Sequence, residues 1–128
     1  MKTDKNLHLI LSAIIITIVA LAYGLLPNTV LSKLFSFTVQ STDLKQVFRA
    51  AMGLYLGMAL LWVIGIFKPV FWRTATIANI FFMGGLAAGR IFGLLTDGIP
   101  SIYFSIDLVL ELIFAIWGII NLKKYRKD

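Results

Sequence analysis

The sequence predicts an all-α fold, a four-helix transmembrane bundle, from its composition and from four long apolar stretches. Hydrophobic residues make up 59% of the 128 positions and charged residues only 14%, whereas a soluble domain is roughly half apolar and a quarter charged. A soluble chain of this length cannot bury so much apolar surface, because small domains leave much of their surface exposed. We therefore expect one membrane domain over residues 1–128, with lipid as the solvent for most side chains.

The four apolar stretches are each close to the roughly 20 residues that a helix needs to cross a bilayer. Backbone groups in lipid must pair within their own segment, so the stretches are expected to be helices. The alternation of apolar and polar residues at period two that is typical of a membrane barrel is absent. In chain order, spans one to four cover about residues 7–26, 44–67, 70–95 and 99–122.

Turn-forming residues separate these spans. The breaks are Pro27-Asn28, Lys68-Pro69 and Asp97-Gly98, where proline and glycine disfavour continued helix. Asp43 resembles the first residue of a capping box that opens span two. The longest connection, residues 27–42, is expected to form either a short amphipathic turn on lipid headgroups or an ordered loop over the mouth of the bundle.

The basic residues predict an antiparallel bundle with both termini in the cytoplasm. The formal charge is +6, and most cations lie at span ends, so nucleic acid is not expected as a partner. Cytoplasmic loops of membrane proteins carry an excess of Lys and Arg, which favours this orientation for a multi-pass membrane protein. The predicted cytoplasmic cations are Lys2, Lys5, Lys68, Arg73, Lys123, Lys124, Arg126 and Lys127, against Lys33 and Lys45 outside.

Four charged residues inside the spans predict a polar site in one half of the bundle. They are Arg49 in span two, Arg90 in span three, and Asp107 and Glu111 in span four. At about 1.5 Å rise per residue, all four lie in the outer half of the membrane. Asp107 and Glu111 share a helix face because they are four residues apart. Unpaired charges are expensive in lipid, so we expect an arginine–carboxylate network across spans two, three and four.

Tyr55 and Asp97 complete the predicted network. Tyr55 lies deep in span two, where it either hydrogen-bonds to the charges or packs against lipid. Asp97 shares a face of span three with Arg90 and Asn79 by the period of 3.6 residues. The protonation of Glu111 stays open, because burial favours the neutral acid and a nearby arginine favours the charged one.

Glycines at four-residue spacing predict close helix packing beside these charges. Small residues at this spacing let membrane helices approach one another. We expect the glycine faces to meet neighbouring spans inside the bundle, with Arg90 beside the seam of span three. The residues are Gly53 and Gly57 in span two, and Gly85, Gly89 and Gly93 in span three.

Three blocks, FRAAMGLYLGMALLW, FMGGLAAGRIFGLLTDGIPS and LVLELIFAIWG, resemble recurring blocks of an uncharacterised bacterial family of four-span membrane proteins, the domain of unknown function DUF4345. The resemblance covers nearly the whole chain from span one onward. It implies a four-helix membrane bundle, multi-pass in the bacterial inner (plasma) membrane, but no activity. A more distant similarity to four-span bundles of the DoxX type is an analogy of fold. The motif positions implied are Arg49, Gly53, Tyr55, Arg90, Asp97, Gly98, Pro100 and Glu111.

Few other chemistries fit this sequence. The absence of cysteine excludes disulfides and thiolate metal sites. The single histidine, His8, is expected at the membrane interface without metal-binding partners in its span. No catalytic triad, Walker motif or dinucleotide fingerprint is present, so we expect no cofactor and no metal. Whether the protein is an enzyme stays open, with acid–base chemistry at Asp107 or Glu111 as the least favoured interpretation.

Two interpretations of function remain. In the leading one, the bundle has a polar pocket in its outer half that binds a small ligand, a lipid headgroup or protons. In the alternative, the chain is an accessory or structural subunit of a larger membrane complex or a homo-oligomer, and its ion pairs are structural. The lipid bilayer is the partner in both, and a second membrane protein or a second copy is added in the alternative.

Overall fold

The structure, a computed structural model, describes residues 3–125 and is helical over most of that range. The described residues contain no strand, and the four long helices are long and apolar enough to cross a membrane. The all-α fold class expected from the sequence is therefore confirmed. The α-helices are α1 (Thr3–Gly24), α2 (Pro27–Leu34), α3 (Thr42–Phe67), α4 (Trp72–Asp97) and α5 (Ile102–Lys124), with a 3-10 turn at Pro69–Phe71.

The helix ends follow local signals in the chain. Pro27 occupies the first turn of α2, where its missing N–H is not needed. Gly98, at φ +93°, turns the chain between α4 and α5 in a conformation that favours glycine. The capping prediction at Asp43 was wrong. The cap is Ser41, two residues earlier, whose hydroxyl accepts the hydrogen bond from the Leu44 N–H at 3.0 Å.

The four long helices pack as two pairs, α1 with α3 and α4 with α5, and the pairs are joined mainly where α3 meets α4. At one end of the bundle the Asn6 side chain of α1 donates to the carbonyl of Ile66 near the end of α3. At the other end the aromatic rings of Tyr23 and Phe48 are 5.8 Å apart. We call these the His8 end and the Arg90 end of the bundle, after the polar residues that they contain.

The helices approach most closely at glycines that the sequence analysis did not select. A Cβ built on Gly24 would lie against Met52, one on Gly65 against Ala75, and one on Gly118 against Ile80 and His8. At these positions the missing side chain makes room for the neighbouring helix.

The five glycines expected to pack inside the bundle do not do so. A Cβ built on any of them would meet no other group within 4 Å; they are Gly53, Gly57, Gly85, Gly89 and Gly93. The reason is the rotation of each helix about its own axis. Tyr55, Trp62 and Met83 lie on the buried sides of their helices, so the glycine faces point outward.

The connection between α1 and α3 packs over the Arg90 end. Leu31 in α2 and Val39 in the following segment are completely buried. The Phe35 ring stacks on the Phe104 ring of α5 at 4.2 Å between centroids. Both sequence expectations hold in part: the segment contains a short amphipathic helix, but its apolar side faces the bundle and not the surroundings.

Candidate functional site

An ion pair between α4 and α5 is the centre of the candidate site. The Arg90 Nε donates to the Glu111 Oε1 at 2.7 Å. The Arg90 Nη2 lies 3.8 Å from the Asp107 Oδ2. The side chain of Glu111 is 8% exposed, that of Arg90 20% and that of Asp107 27%. Asp107 and Glu111 thus both face Arg90, as the sequence predicted. Glu111, the less exposed of the two acids, is held at the shorter distance.

The charges of this cluster do not cancel. One guanidinium faces two carboxylates, so the cluster with both acids ionised carries one excess negative charge. Asp107 is the less tightly paired acid, because its oxygen is beyond hydrogen-bond distance from Arg90. Among the residues described, both ion pairs are made by Arg90.

Arg49 lies at the same end of the bundle but has different partners. Its Nη1 donates to the carbonyl of Gly24 at 2.7 Å and to that of Leu25 at 3.3 Å. These carbonyls end α1 and have no partner within the helix, and a cation there also interacts favourably with the helix dipole. The structure therefore places Arg49 as a cap on α1 and does not bring it into the expected arginine–carboxylate network.

Aromatic side chains surround the Arg90 guanidinium. Its carbon lies 5.4 Å from the centroid of the Phe104 ring, close enough for a cation–π interaction. Tyr55 is buried, and its ring is 5.9 Å from that of Tyr23. Tyr55 thus faces the interior and not lipid. Tyr23 was not predicted as a site residue, although its position near the end of span one places it in the same half of the bundle as the predicted polar site.

Three cavities meet at Arg90. A cleft of about 210 Å³ is lined by Arg90, Asp97, Phe104 and Ser105 among others. A wider groove of about 390 Å³ runs past Tyr23, Tyr55, Gly85, Gly89 and Phe104. A small cavity of about 30 Å³ lies on the inner side of the ion pair. The arrangement lets a small molecule reach the charge cluster from the bundle surface.

Asp97 belongs to this site by its position in the cleft. It is exposed at the last residue of α4 and lines the same cleft as Arg90. Two of the glycines, Gly85 and Gly89, line the groove. They shape an opening beside Arg90, which is a different role from the helix packing that was expected.

The His8 end contains a second polar cluster that sequence reasoning missed. His8 is 1% exposed and its Nε2 hydrogen-bonds to the Phe114 carbonyl at 2.9 Å, so it faces the interior of the bundle, and its expected depth at the membrane interface stays a prediction. Spacing offered a signal, since His8 and Ser12 share a face of α1. The buried polar or charged residues at this end are Lys5, Asn6, His8, Ser12, Thr76, Asn79 and Asn121.

The described residues include no group of three or more His, Cys, Asp or Glu side chains placed to hold a metal ion. Two acids, Asp107 and Glu111, pair with Arg90, which lies against both carboxylates. Chemically, each carboxylate can accept hydrogen bonds or a proton, beside a guanidinium that is held by Glu111.

Comparison with protein families gives one finding. The family model described as Domain of unknown function (DUF4345) matches residues 5–122. The chain belongs to this family. The resemblance noted from the three sequence blocks is thereby confirmed over nearly the whole chain. No curated protein and no solved structure matches the chain, so a function for this DUF4345 chain has to be argued from its own site.

Proposed function

We propose that this DUF4345 chain is a multi-pass protein of the bacterial inner membrane that binds a proton or a small cation at Arg90, Asp107 and Glu111. The observation that carries the proposal is the unequal count of charges, one guanidinium for two acids, in a mostly buried place. A buried charge without a partner is strongly unfavourable in lipid. A proton on one acid, or a small cation beside it, removes that excess.

An anionic ligand is disfavoured by the same geometry. Arg90 is engaged by Glu111 at 2.7 Å, and Arg49 is engaged by the carbonyls of α1. A phosphate or carboxylate would have to displace one of these partners and would add to the negative charge. Asp97 at the mouth of the cleft instead adds a further acid on the route by which a cation would enter.

The proposed orientation, antiparallel with both termini cytoplasmic, is supported by contacts at the His8 end. The Lys5 Nζ lies 4.5 Å from the centroid of the Trp72 ring, and the Trp72 ring packs edge-on against Tyr125. Lys124 lies over the Tyr125 ring. Cations from α1 and α5 therefore gather with the α3–α4 turn, as the positive-inside rule requires of a cytoplasmic face. Lys2, Arg126 and Lys127 are outside the described residues.

Infrared difference spectroscopy on the purified protein tests whether the site binds a proton. A titration of pH should reveal the carbonyl stretch of a protonated carboxyl group, and Asp107→Asn or Glu111→Gln should remove it. Asp43→Asn, an exposed acid in the first turn of α3, is the matched control and should leave the band unchanged.

Thermal unfolding tests whether the site binds a small cation. The melting temperature should rise with methylammonium in the wild-type protein and not in Asp107→Asn, while the bulkier tetrabutylammonium should have no effect because it does not fit the cleft. If the carboxyl band is absent and methylammonium leaves the melting temperature unchanged, the proposed function is wrong.

The alternative, a subunit of a membrane complex or homo-oligomer, is favoured by one observation. Gly53, Gly57 and Gly89 lie on outward faces with nothing within 4 Å of a built Cβ, and small residues at this spacing suit contact with another membrane helix. Mass measurement in mild detergent checks this. A stable assembly that Gly57→Leu dissociates would support it, whereas a monomer at all concentrations would contradict the homo-oligomer.

A further inference from the structure

The polar cluster at the His8 end is unusual because its members are buried and mostly lack partners. The side chains of Ser12, Thr76 and Asn79 are 0% exposed, and Asn121 is 5% exposed. Within the described residues, the buried polar atoms without a hydrogen-bond partner include His8 Nδ1, Ser12 Oγ, Thr76 Oγ1, Asn79 Nδ2, Asn79 Oδ1 and Asn121 Nδ2.

The tautomer of His8 follows from its one hydrogen bond. The Phe114 carbonyl can only accept, so the His8 Nε2, at 2.9 Å, carries the hydrogen. In the neutral ring Nδ1 then holds a lone pair, and this atom is buried without a donor. His8 is therefore oriented with a proton acceptor inside the bundle.

Buried polar atoms of this kind need a partner other than protein. A hydroxyl or amide without a hydrogen bond is costly in an apolar environment, and lipid supplies none. Water satisfies such groups where several polar atoms converge. His8 and Ser12 share a face of α1, and Thr76 and Asn79 share one of α4. The two faces meet α5 near Gly118, where a built Cβ would touch both His8 and Ile80.

The small cavity on the inner side of the Arg90 ion pair also has lining residues that adjoin this cluster. That cavity, of about 30 Å³, is lined by Glu111, Asp107 and Arg90 and also by Met83 and Phe114. Its volume suits a single water molecule. Met83 is one helical turn from Asn79, and Phe114 carries the carbonyl to which His8 donates.

We propose that the bundle conducts protons between its two ends, from Asp107 and Glu111 through water held by Asn79, Thr76 and Ser12 to the Nδ1 of His8. The inference rests on the proposed function, since the acids must exchange a proton. The proton leaves a carboxyl group and is taken up at Nδ1 of the neutral His8 ring. Release of a proton from the ring to water at the His8 end, and uptake of another by the carboxylate at the Arg90 end, restore both groups, and only bonds to hydrogen change. The charged groups along this route are Lys5 on α1, Arg90 on α4 and the two acids on α5.

Proteoliposomes with an entrapped pH-sensitive dye test this proposal. A potassium gradient with valinomycin supplies the driving potential, and the wild-type protein should acidify the lumen faster than protein-free liposomes do. Thr76→Val/Asn79→Leu, which removes three of the unpartnered atoms, should reduce the flux to the protein-free level. Thr74→Val, on the exposed side of α4, is the matched control and should conduct like wild type.

The melting temperature separates blocked conduction from loss of the fold. Because Thr76→Val keeps the shape of the side chain and removes only one hydrogen bond to water, it should have a melting temperature close to that of wild type while conducting less. Should the double variant not fold, Thr76→Val alone carries the test with the same expected reduction.

The outcomes distinguish this proposal from the one it rests on. A titrating carboxyl band with no wild-type proton flux leaves the binding site in place and overturns conduction. Flux that persists in Thr76→Val, or in the double variant, overturns this route. Flux without any carboxyl titration contradicts both the proposed site and a path that starts at it.

Discussion

At the scale of single residues, the environment of each charge decides its role. Arg49 and Arg90 are the same side chain at the same end of the bundle. Arg90 meets a carboxylate at 2.7 Å, whereas Arg49 meets the last carbonyls of α1 at 2.7 and 3.3 Å. One therefore holds two helices together through charge, and the other completes a helix end.

We predict that the coupling of Arg90 to Glu111 exceeds its coupling to Asp107. Arg90→Leu should lower the free energy of unfolding by about 3–5 kcal/mol, because it leaves a buried acid without its partner. Arg90→Leu combined with Glu111→Leu should recover most of that loss, because the buried carboxylate that Arg90 contacts at 2.7 Å is then removed as well. Combination with Asp107→Leu should recover less, because that contact is 3.8 Å.

Unfolding of purified protein in mixed dodecylmaltoside and SDS micelles gives the free energies for both double-mutant cycles. Glu111→Gln is the control that keeps a hydrogen-bond acceptor for Arg90. Equal coupling energies in the two cycles would contradict the assignment of Glu111 as the principal partner.

At the scale of elements, α2 and the segment after it close the Arg90 end by packing and without charge. Leu31 is completely buried, while Leu34 in the same helix is 39% exposed. Phe35 adds aromatic stacking on Phe104, the ring that also faces Arg90. The connection is thus part of the wall of the site as well as a link between spans.

We predict that Leu31→Ala destabilises the protein far more than Leu34→Ala. The first removes a side chain from a fully packed place and should cost about 2–5 kcal/mol. The second removes a partly exposed side chain and should change stability by about 0.5 kcal/mol or less. Thermal unfolding of the two variants in the same detergent measures the difference; similar melting temperatures would show that α2 is not docked.

At the scale of the whole molecule, the bundle has two polar ends of different kinds. The Arg90 end holds fixed charges beside clefts that open to the surface. The His8 end holds buried polar groups together with the buried Lys5, and its other described cations are exposed. The proposed proton route would run along the bundle axis between these two ends.

We predict that the His8 end faces the cytoplasm, and the chain is well suited to the measurement because it has no cysteine. Single cysteines replacing Lys68 and Lys33, both exposed, should label differently with an impermeant maleimide on intact bacterial cells whose outer membrane is permeabilised. Lys33→Cys should react at once, and Lys68→Cys only after the inner membrane is opened. The reverse pattern would contradict the proposed orientation.

Much of the fold was predictable from local patterns. Apolar length, prolines and glycines located α1, α3, α4 and α5 to within about a turn of their observed ends, because each signal acts through the chain beside it. The capping residue Ser41 and the helix at Pro27–Leu34 depended on weaker signals. The candidate site was half predictable: Arg90, Asp107 and Glu111 meet, while Arg49 lies apart.

The sequence by itself determined that four helices have the length and apolarity to cross a membrane, and that charges occur at one depth in them. Only the tertiary structure decided which way each helix is turned. Helical period places Gly53, Gly57 and Arg49 on one face but does not say what that face meets, since this depends on how all neighbouring side chains pack together. The same packing placed His8 inside and the glycine stripes outside. The first outcome underlies the inferred proton route, and the second underlies the alternative of a membrane complex or homo-oligomer.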